Sequence, residues 1–383
     1  MEQFAVKEGD WVLDPFCGSG TTLVECLKKG INAVGVDANP ASCFAASVKS
    51  DWTLNVDRLR GNAAKARAGY LQEVRSKRYL DDPTYRYLDS TGFIERGWMS
   101  QKPLRKALAL KRSIQSLRIT PRYKNALMLA LITEITTAAS NIKFGPELYC
   151  GPAKENHNVL DGFLARVETI ASDLGRVAGL ARSTVSVVQG DSRACGAIRQ
   201  VTKHAPYAAV ISSPPYPAEH DYTRNSRLEL AFLDEVSDIE SLRAIKKAMI
   251  RSHSKGIYVT DSDGDAVAGN NRVMAVVKEI QGKVEHKDYG FARYYPVVAK
   301  EYFGGIKKHL STIPPLLRED GVCAYVVGDQ SSYLGVHIPT AEIISEISNQ
   351  VGFKTATIEH WRNRWSTTKS KNMEENILIM RKT

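Results

Sequence analysis

No part of this 383-residue sequence approaches the roughly 18 consecutive apolar residues that span a bilayer. The first residues lack the basic-then-apolar order of a signal peptide. These absences point away from a membrane or secreted protein and toward a soluble, cytoplasmic one. Cysteine is sparse: the six residues at 17, 26, 43, 150, 195 and 323 form no C-x-x-C pair and no His/Cys cluster at metal-ligand spacing. A disulfide scaffold and a zinc module are thereby excluded, and free thiols with no metal site are expected. Internal repeats and low-complexity tails are missing too. Acids are scarce in one interval: from Arg58 to Lys124, 17 Lys or Arg stand against five Asp or Glu, a surplus of twelve where the whole chain carries +10. Such a segment suits a polyanionic partner, although a merely solvated basic face has the same composition.

What the sequence does have is alternation. Short apolar runs bounded by turn residues read as buried strands at 11–16, 32–37, 183–191, 207–215, 321–329, 353–361 and 376–382. Helical periodicity separates several of them, with Gly30 and Gly352 as stops after "TTLVECLKKG" and "IPTAEIISEISNQVG". Strands alternating with helices predict an α/β fold with a mostly parallel, seven-stranded, Rossmann-like sheet covered on both faces. Two intervals break the pattern. Between the second and third strands, residues 56–182 form a basic helical insertion that includes a long, largely buried helix over 124–144. A second, turn-rich insertion spans about 217–299, so the sheet domain is divided into 1–55 and 183–383.

The chemistry concentrates at predicted strand tips. "VLDPFCGSGTT" ends a strand at Asp14, turns through Gly18 and Gly20, and opens a helix at Thr21. Backbone amides and a helix N-terminus then surround a ligand. The stretch matches neither the dinucleotide pattern nor a phosphate loop, because Leu23 replaces the third glycine and no G-K-[ST] follows. Asp37, at the next strand tip, stands where a carboxylate accepts both ribose hydroxyls of a nucleoside. Asp191 ends the third strand and is a candidate acceptor for an adenine amino group, although Gly-Asp there is also ordinary turn chemistry. Three acids suit a nucleoside with a cationic end, and S-adenosylmethionine fits. "SSPPY" follows the fourth strand. Its prolines turn carbonyls near Ser213 and Pro214 outward, where they can hold an exocyclic amine while Tyr216 stacks on a planar base.

"DPFCGSGT" together with "SPPY" resembles the amino-methylating DNA methyltransferases, and "EHDYTRNSRLELAFL" (219–233) and "SNIKFGPELY" (140–149) are similar to segments of bacterial modification methylases. The resemblance covers about half the chain. It implies S-adenosylmethionine as cofactor, with Asp14, Pro15, Phe16, Cys17, Gly18, Gly20, Thr21, Asp37, Ala38, Asp191 and Ser192 around it. Ser213, Pro214, Pro215 and Tyr216 become the catalytic loop. Serine as its first residue favours N4 of cytosine over N6 of adenine. Cys17 is common at its position in that family and is not expected to act as a nucleophile.

Double-stranded DNA is the implied partner, in a restriction-modification or other defence system, with the basic insertion as clamp or target-recognition region. Asp221, Tyr222 and Arg224 are candidates for the flipped-base pocket. Trp361, Arg362, Arg364 and Lys369, which interleave aromatics with cations, are candidate DNA contacts. His157, His220 and His253 lack ligand spacing and are expected to be bystanders, while Tyr294, Tyr295 and Tyr302 are expected in the core. Only "MEQFAVKEGD" stands before the first strand, too little for the helical segment that encloses the cofactor in many relatives. A second polypeptide or a later segment is the expected cover. RNA or protein amine methylation, and a non-catalytic DNA-binding subunit, are the alternative readings.

Overall fold

The computed structural model describes residues 1–76, 78–143, 148–180, 183–218, 220–285, 290–365 and 372–382. Among them, seven strands make one sheet: β1 (Trp11–Asp14), β2 (Asn32–Asp37), β3 (Val185–Gln189), β4 (Tyr207–Ser212), β5 (Leu317–Gly328), β6 (Phe353–Trp365) and β7 (Asn372–Lys382). Their spatial order is β3-β2-β1-β4-β5-β7-β6. Neighbours from β3 to β5 pair in parallel, and β7 runs antiparallel to both β5 and β6. The fold is mixed α/β with a mostly parallel sheet. Helices α1 (Thr21–Lys28), α2 (Pro40–Lys49), α3 (Val56–Glu73), α4 (Gln101–Ser116), α5 (Pro121–Glu134), α6 (Val159–Arg176), α7 (Asn271–Val284), α8 (Tyr295–Ser311) and α9 (Thr340–Asn349) carry most of the rest.

Contacts divide the chain into two compact units, one of residues 1–46, 182–222 and 244–383, the other of 47–181 and 223–243. In the first unit the central strands β1, β2 and β4 are buried on both faces, which is why they read as continuous apolar runs, whereas β3 is half-buried and β6 largely exposed. Leu13, Val34, Val210, Tyr325 and Leu378 join the larger core with Tyr302, Phe303 and Ile306 of α8 and Ile343, Ile344 and Ile347 of α9. Val12, Ala33 and Ala209 face Leu23 and Cys26 of α1. Gly35 of β2 permits that closeness, since a Cβ there would sit 2.8 Å from Leu23 and 2.9 Å from the Cys17 sulfur. β5 begins at Leu317, before its apolar run, and β6 runs on to Trp365, because paired neighbours extend strands beyond their hydrophobic stretch.

The second unit is helical. Asn55 caps α3 by accepting from the Arg58 N–H at 2.8 Å. Gly69 lets α3 approach α4, where the Ser113 hydroxyl donates to Ala66 O at 2.6 Å. Lys111, 1% exposed, donates to Thr84 Oγ1 at 2.6 Å and Asp234 at 2.5 Å, joining residues 223–243 to this bundle. The expected helix over 124–144 differs in the structure. Its α-helical part ends at Glu134, a π-helical turn covers Ile135–Ala139, and a short strand starts at Ile142. The Thr136 and Thr137 hydroxyls donate back to the Ile132 and Thr133 carbonyls there, a competition that loosens the last turns. No helix among the described residues is long and apolar enough to cross a membrane.

Candidate active site

Parallel pairing sets the ends of β1, β2, β3 and β4 along one sheet edge, and most of the singled-out residues follow directly from those ends. After Asp14 and Pro15 the chain turns through Phe16 to Gly20. Gly18 (φ 50°) and Gly20 (φ 88°) hold left-handed backbone, and Thr21 opens α1. Cys17 N donates to Val36 O at 2.9 Å and Gly18 N to Asp37 Oδ2 at 2.9 Å, so the loop is bonded to the tip of β2. Asp37 also accepts from Asn39 N at 2.8 Å, across Ala38. Each of its oxygens keeps a free lone pair for an outside donor. Burial raises the Asp37 carboxyl, opposed by those backbone donors.

Asp14 is 3% exposed. It accepts from Phe16 N at 3.2 Å and from the Ser212 hydroxyl at 2.5 Å. Burial pushes its carboxyl up to about 6 against the pull of Ser212, Thr22 and Phe16. The Ser212 contact ties the glycine loop to the proline-containing loop that follows β4. Burial, with Asp14 and Asp37 adding to it, pushes the Cys17 thiol far above its usual range, which disfavours the thiolate form.

In that second loop the Ser213 hydroxyl donates to Val326 O at 3.3 Å. Tyr302 of α8, fully buried, donates its hydroxyl to Pro215 O at 2.8 Å. Tyr216 N donates to the Tyr222 hydroxyl at 3.3 Å, and the Tyr216 hydroxyl to Glu375 Oε1 at 2.6 Å. Below the glycine loop, Phe16 meets His309 edge-on with centroids 4.7 Å apart. His309 Nδ1 lies 2.8 Å from Ser192 O and Nε2 2.6 Å from the Tyr325 hydroxyl. Burial pulls this imidazole down to about 4. It is neutral, with Nδ1–H donating to the carbonyl and Nε2 accepting.

The remaining candidates divide. Asp191 caps a turn at Arg193 N (2.8 Å) and faces the Arg193 guanidinium at 2.6–3.0 Å, and Arg193 also pairs with Asp263. Its carboxylate is therefore already engaged by a cation. Asp221 accepts from Lys246 at 2.6 Å and lies 3.6 Å from His253, whose pKa burial lowers to about 4. Arg224 belongs to the second unit, over the Trp98 ring at 5.8 Å. Trp361 is 50% exposed beneath the Arg362 guanidinium, while Arg362 and Arg364 turn toward Glu375 and Tyr216. Lys369 lies outside the described residues. Ser212, Arg193, His309 and Glu375 were not singled out by the sequence, and Tyr302 was expected in the core, where it lies, but not at this loop. A tyrosine in an apolar helix and a glutamate among strand polars carry no local signal of the loop they touch. Among the described residues no group of three or more His, Cys, Asp or Glu can hold a metal.

Residues 3–47 match a family model described as DNA methylase. Over 41 residues the chain is 56% identical to the type II methyltransferase M.MjaII of Methanocaldococcus jannaschii, 11% of this chain and 8% of that one. To M.BsoBI of Geobacillus stearothermophilus it is 27% identical over 271 residues, 65% of this chain and 52% of the relative. To M.AvaI of Nostoc sp. it is 23% identical over 405 residues, covering 93% and 76%. The chain thus spans about half the length of M.BsoBI. No solved structure matches it with comparable significance. The likenesses support the DNA methyltransferase family.

Proposed function

We propose that this chain methylates DNA, taking the methyl group of S-adenosylmethionine to an exocyclic amine of an unstacked base, with cytosine N4 favoured over adenine N6. The observation that carries the reading is the 2.5 Å bond from Ser212 to Asp14, which abuts a nucleoside-binding loop on an amine-binding one. The residues fit the cofactor. Gly18 stands in open space, so the backbone of the turn can lie close against a ligand, and Asp37 keeps lone pairs for two ribose hydroxyls. Asp14 and the Phe16–Gly20 turn suit the methionine end. Asp191 can take an adenine amine only while sharing its charge with Arg193. The cofactor supplies an electrophilic methyl group when bound.

The protein's own part is alignment. The Ser213 hydroxyl reaches Val326 O and the Tyr216 phenol, and its oxygen is one acceptor for an amine hydrogen. Tyr302 occupies the Pro215 carbonyl, which leaves the Pro214 carbonyl as the second acceptor. Two acceptors fix the amine's hydrogens and aim its nitrogen, while Tyr216 offers a stacking face. The type II names of the relatives favour a restriction-modification setting.

The test is label transfer from S-adenosylmethionine to unmethylated duplex DNA, total RNA and protein, with mass spectrometry of the released nucleosides. N4-methylcytosine in DNA is expected. N6-methyladenine alone overturns the choice of base, and label confined to RNA or protein overturns DNA as the substrate.

A further inference from the structure

Tyr216 is held by two groups from the far end of the chain, Glu375 and Arg364, the first of them braced by Arg362. Glu375, 3% exposed near the start of β7, accepts the Tyr216 hydroxyl at 2.6 Å on Oε1, and on Oε2 it accepts Arg362 Nε at 2.5 Å. Burial raises the Glu375 carboxyl, but the hydrogen bonds from Tyr216 and Arg362 and the charges of the two arginines outweigh it, so the net shift is downward and the group is ionised. The Arg364 guanidinium lies over the Tyr216 ring, 5.0 Å from its centroid, and its Nη2 is anchored on Asp329 O at 3.1 Å. A glycine makes this possible. A Cβ at Gly328 would collide with that guanidinium and come within 3.2 Å of Tyr216 Cε2.

A phenol has two rotatable bonds. A short hydrogen bond to a carboxylate fixes its plane, and a cation over one face both holds the ring and closes that face. Only the opposite face is left for a planar partner. We propose that Glu375 and Arg364 are positioning residues that present one face of Tyr216 as the platform for an extrahelical base. This inference rests on the DNA-methylation reading. It also gives Arg364, and the Nε of the more exposed Arg362, a task besides the phosphate contact expected of them, because both reach Glu375 or Tyr216 in this cradle.

The experiment is a double-mutant cycle on initial rates, kcat and KM for long unmethylated duplex DNA of mixed sequence, with cofactor affinity measured in parallel. Glu375→Gln and Tyr216→Phe should each raise KM for DNA and lower kcat, together about tenfold or more in kcat/KM, with cofactor affinity within twofold. Because Glu375→Gln removes the charge that the Tyr216 hydroxyl donates to and Tyr216→Phe removes the donor itself, adding Glu375→Gln to Tyr216→Phe should change little further. Independent, multiplying effects would overturn the cradle, as would a Glu375→Gln enzyme of full activity. Should Glu375→Gln fail to fold, Gly328→Ala, which displaces Arg364, must reproduce the KM rise, and an unaltered KM overturns the proposal. A wild-type protein that methylates DNA while the cycle is additive loses only the cradle. A wild-type protein that transfers no methyl to DNA loses both readings.

Discussion

Asp14 is held where its charge is unfavourable. Its carboxyl, ordinarily near 3.8, sits at about 6 because burial removes water faster than Ser212, Thr22 and Phe16 replace it. A folded pKa above the unfolded one means that the folded state binds the proton more tightly. The stability Asp14 contributes is full below about 3.8 and is lost as pH rises through about 6, a swing of roughly 3 kcal/mol as an upper bound. Asp14→Asn is therefore expected to melt at or above the wild-type temperature at pH 8, and at or below it near pH 4. The same variant should lose cofactor affinity at pH 8. A melt series over pH 4–8 beside a cofactor titration checks both, and a variant that is destabilised most at high pH would refute the account.

At the scale of elements, the turn between β1 and α1 sets two glycines against each other. Both have positive φ, but a Cβ on Gly18 would meet nothing within 4 Å, whereas one on Gly20 would stand 3.0 Å from both Cα and Cβ of Ala46 on α2. Gly18→Ala should cost only left-handed backbone strain, about 1 kcal/mol. Gly20→Ala adds a backbone clash between two helices and should cost clearly more, with a lower melting temperature and loss of cofactor binding. Equal melting curves for the two variants would contradict this. The elements themselves were largely readable, because strands buried on both faces are written as apolar runs ended by small polar residues. The π-helical turn at Ile135–Ala139 was not, since Ile135, Ala138 and Ala139 continue the helical pattern and only the threonine hydroxyls oppose it. Within the site, the strand-tip residues were legible from Asp14, Asp37 and Ser213 in order. Glu375 and Tyr302 were not, because their meaning lies in partners 159 and 87 positions away.

Over the whole molecule the +10 charge is less available than it looks. In the basic interval Lys111 is buried on Asp234, and Arg60, Arg78, Arg86, Arg112 and Arg122 pair with Glu168, Glu73, Asp81, Glu73 and Asp51. Lys65 and Arg67 of α3 face solvent. If that face meets DNA phosphates, reversing both to Glu should weaken DNA binding across sequences and reduce the slope of log affinity against log salt by about 2, with cofactor affinity unchanged. An unaltered slope in a salt titration would remove α3 from the DNA path. The sheet order has a consequence in another currency, that of protein synthesis. β7 follows in the chain every strand it joins, yet it lies between β5 and β6, and among the described residues β6 pairs with nothing else. A nascent chain that has emerged as far as residue 365 has its glycine loop and its SPPY segment but two open sheet edges and no acceptor for the Tyr216 hydroxyl. Chains broken off before residue 372 are thus marked for chaperones and proteases by their open edges.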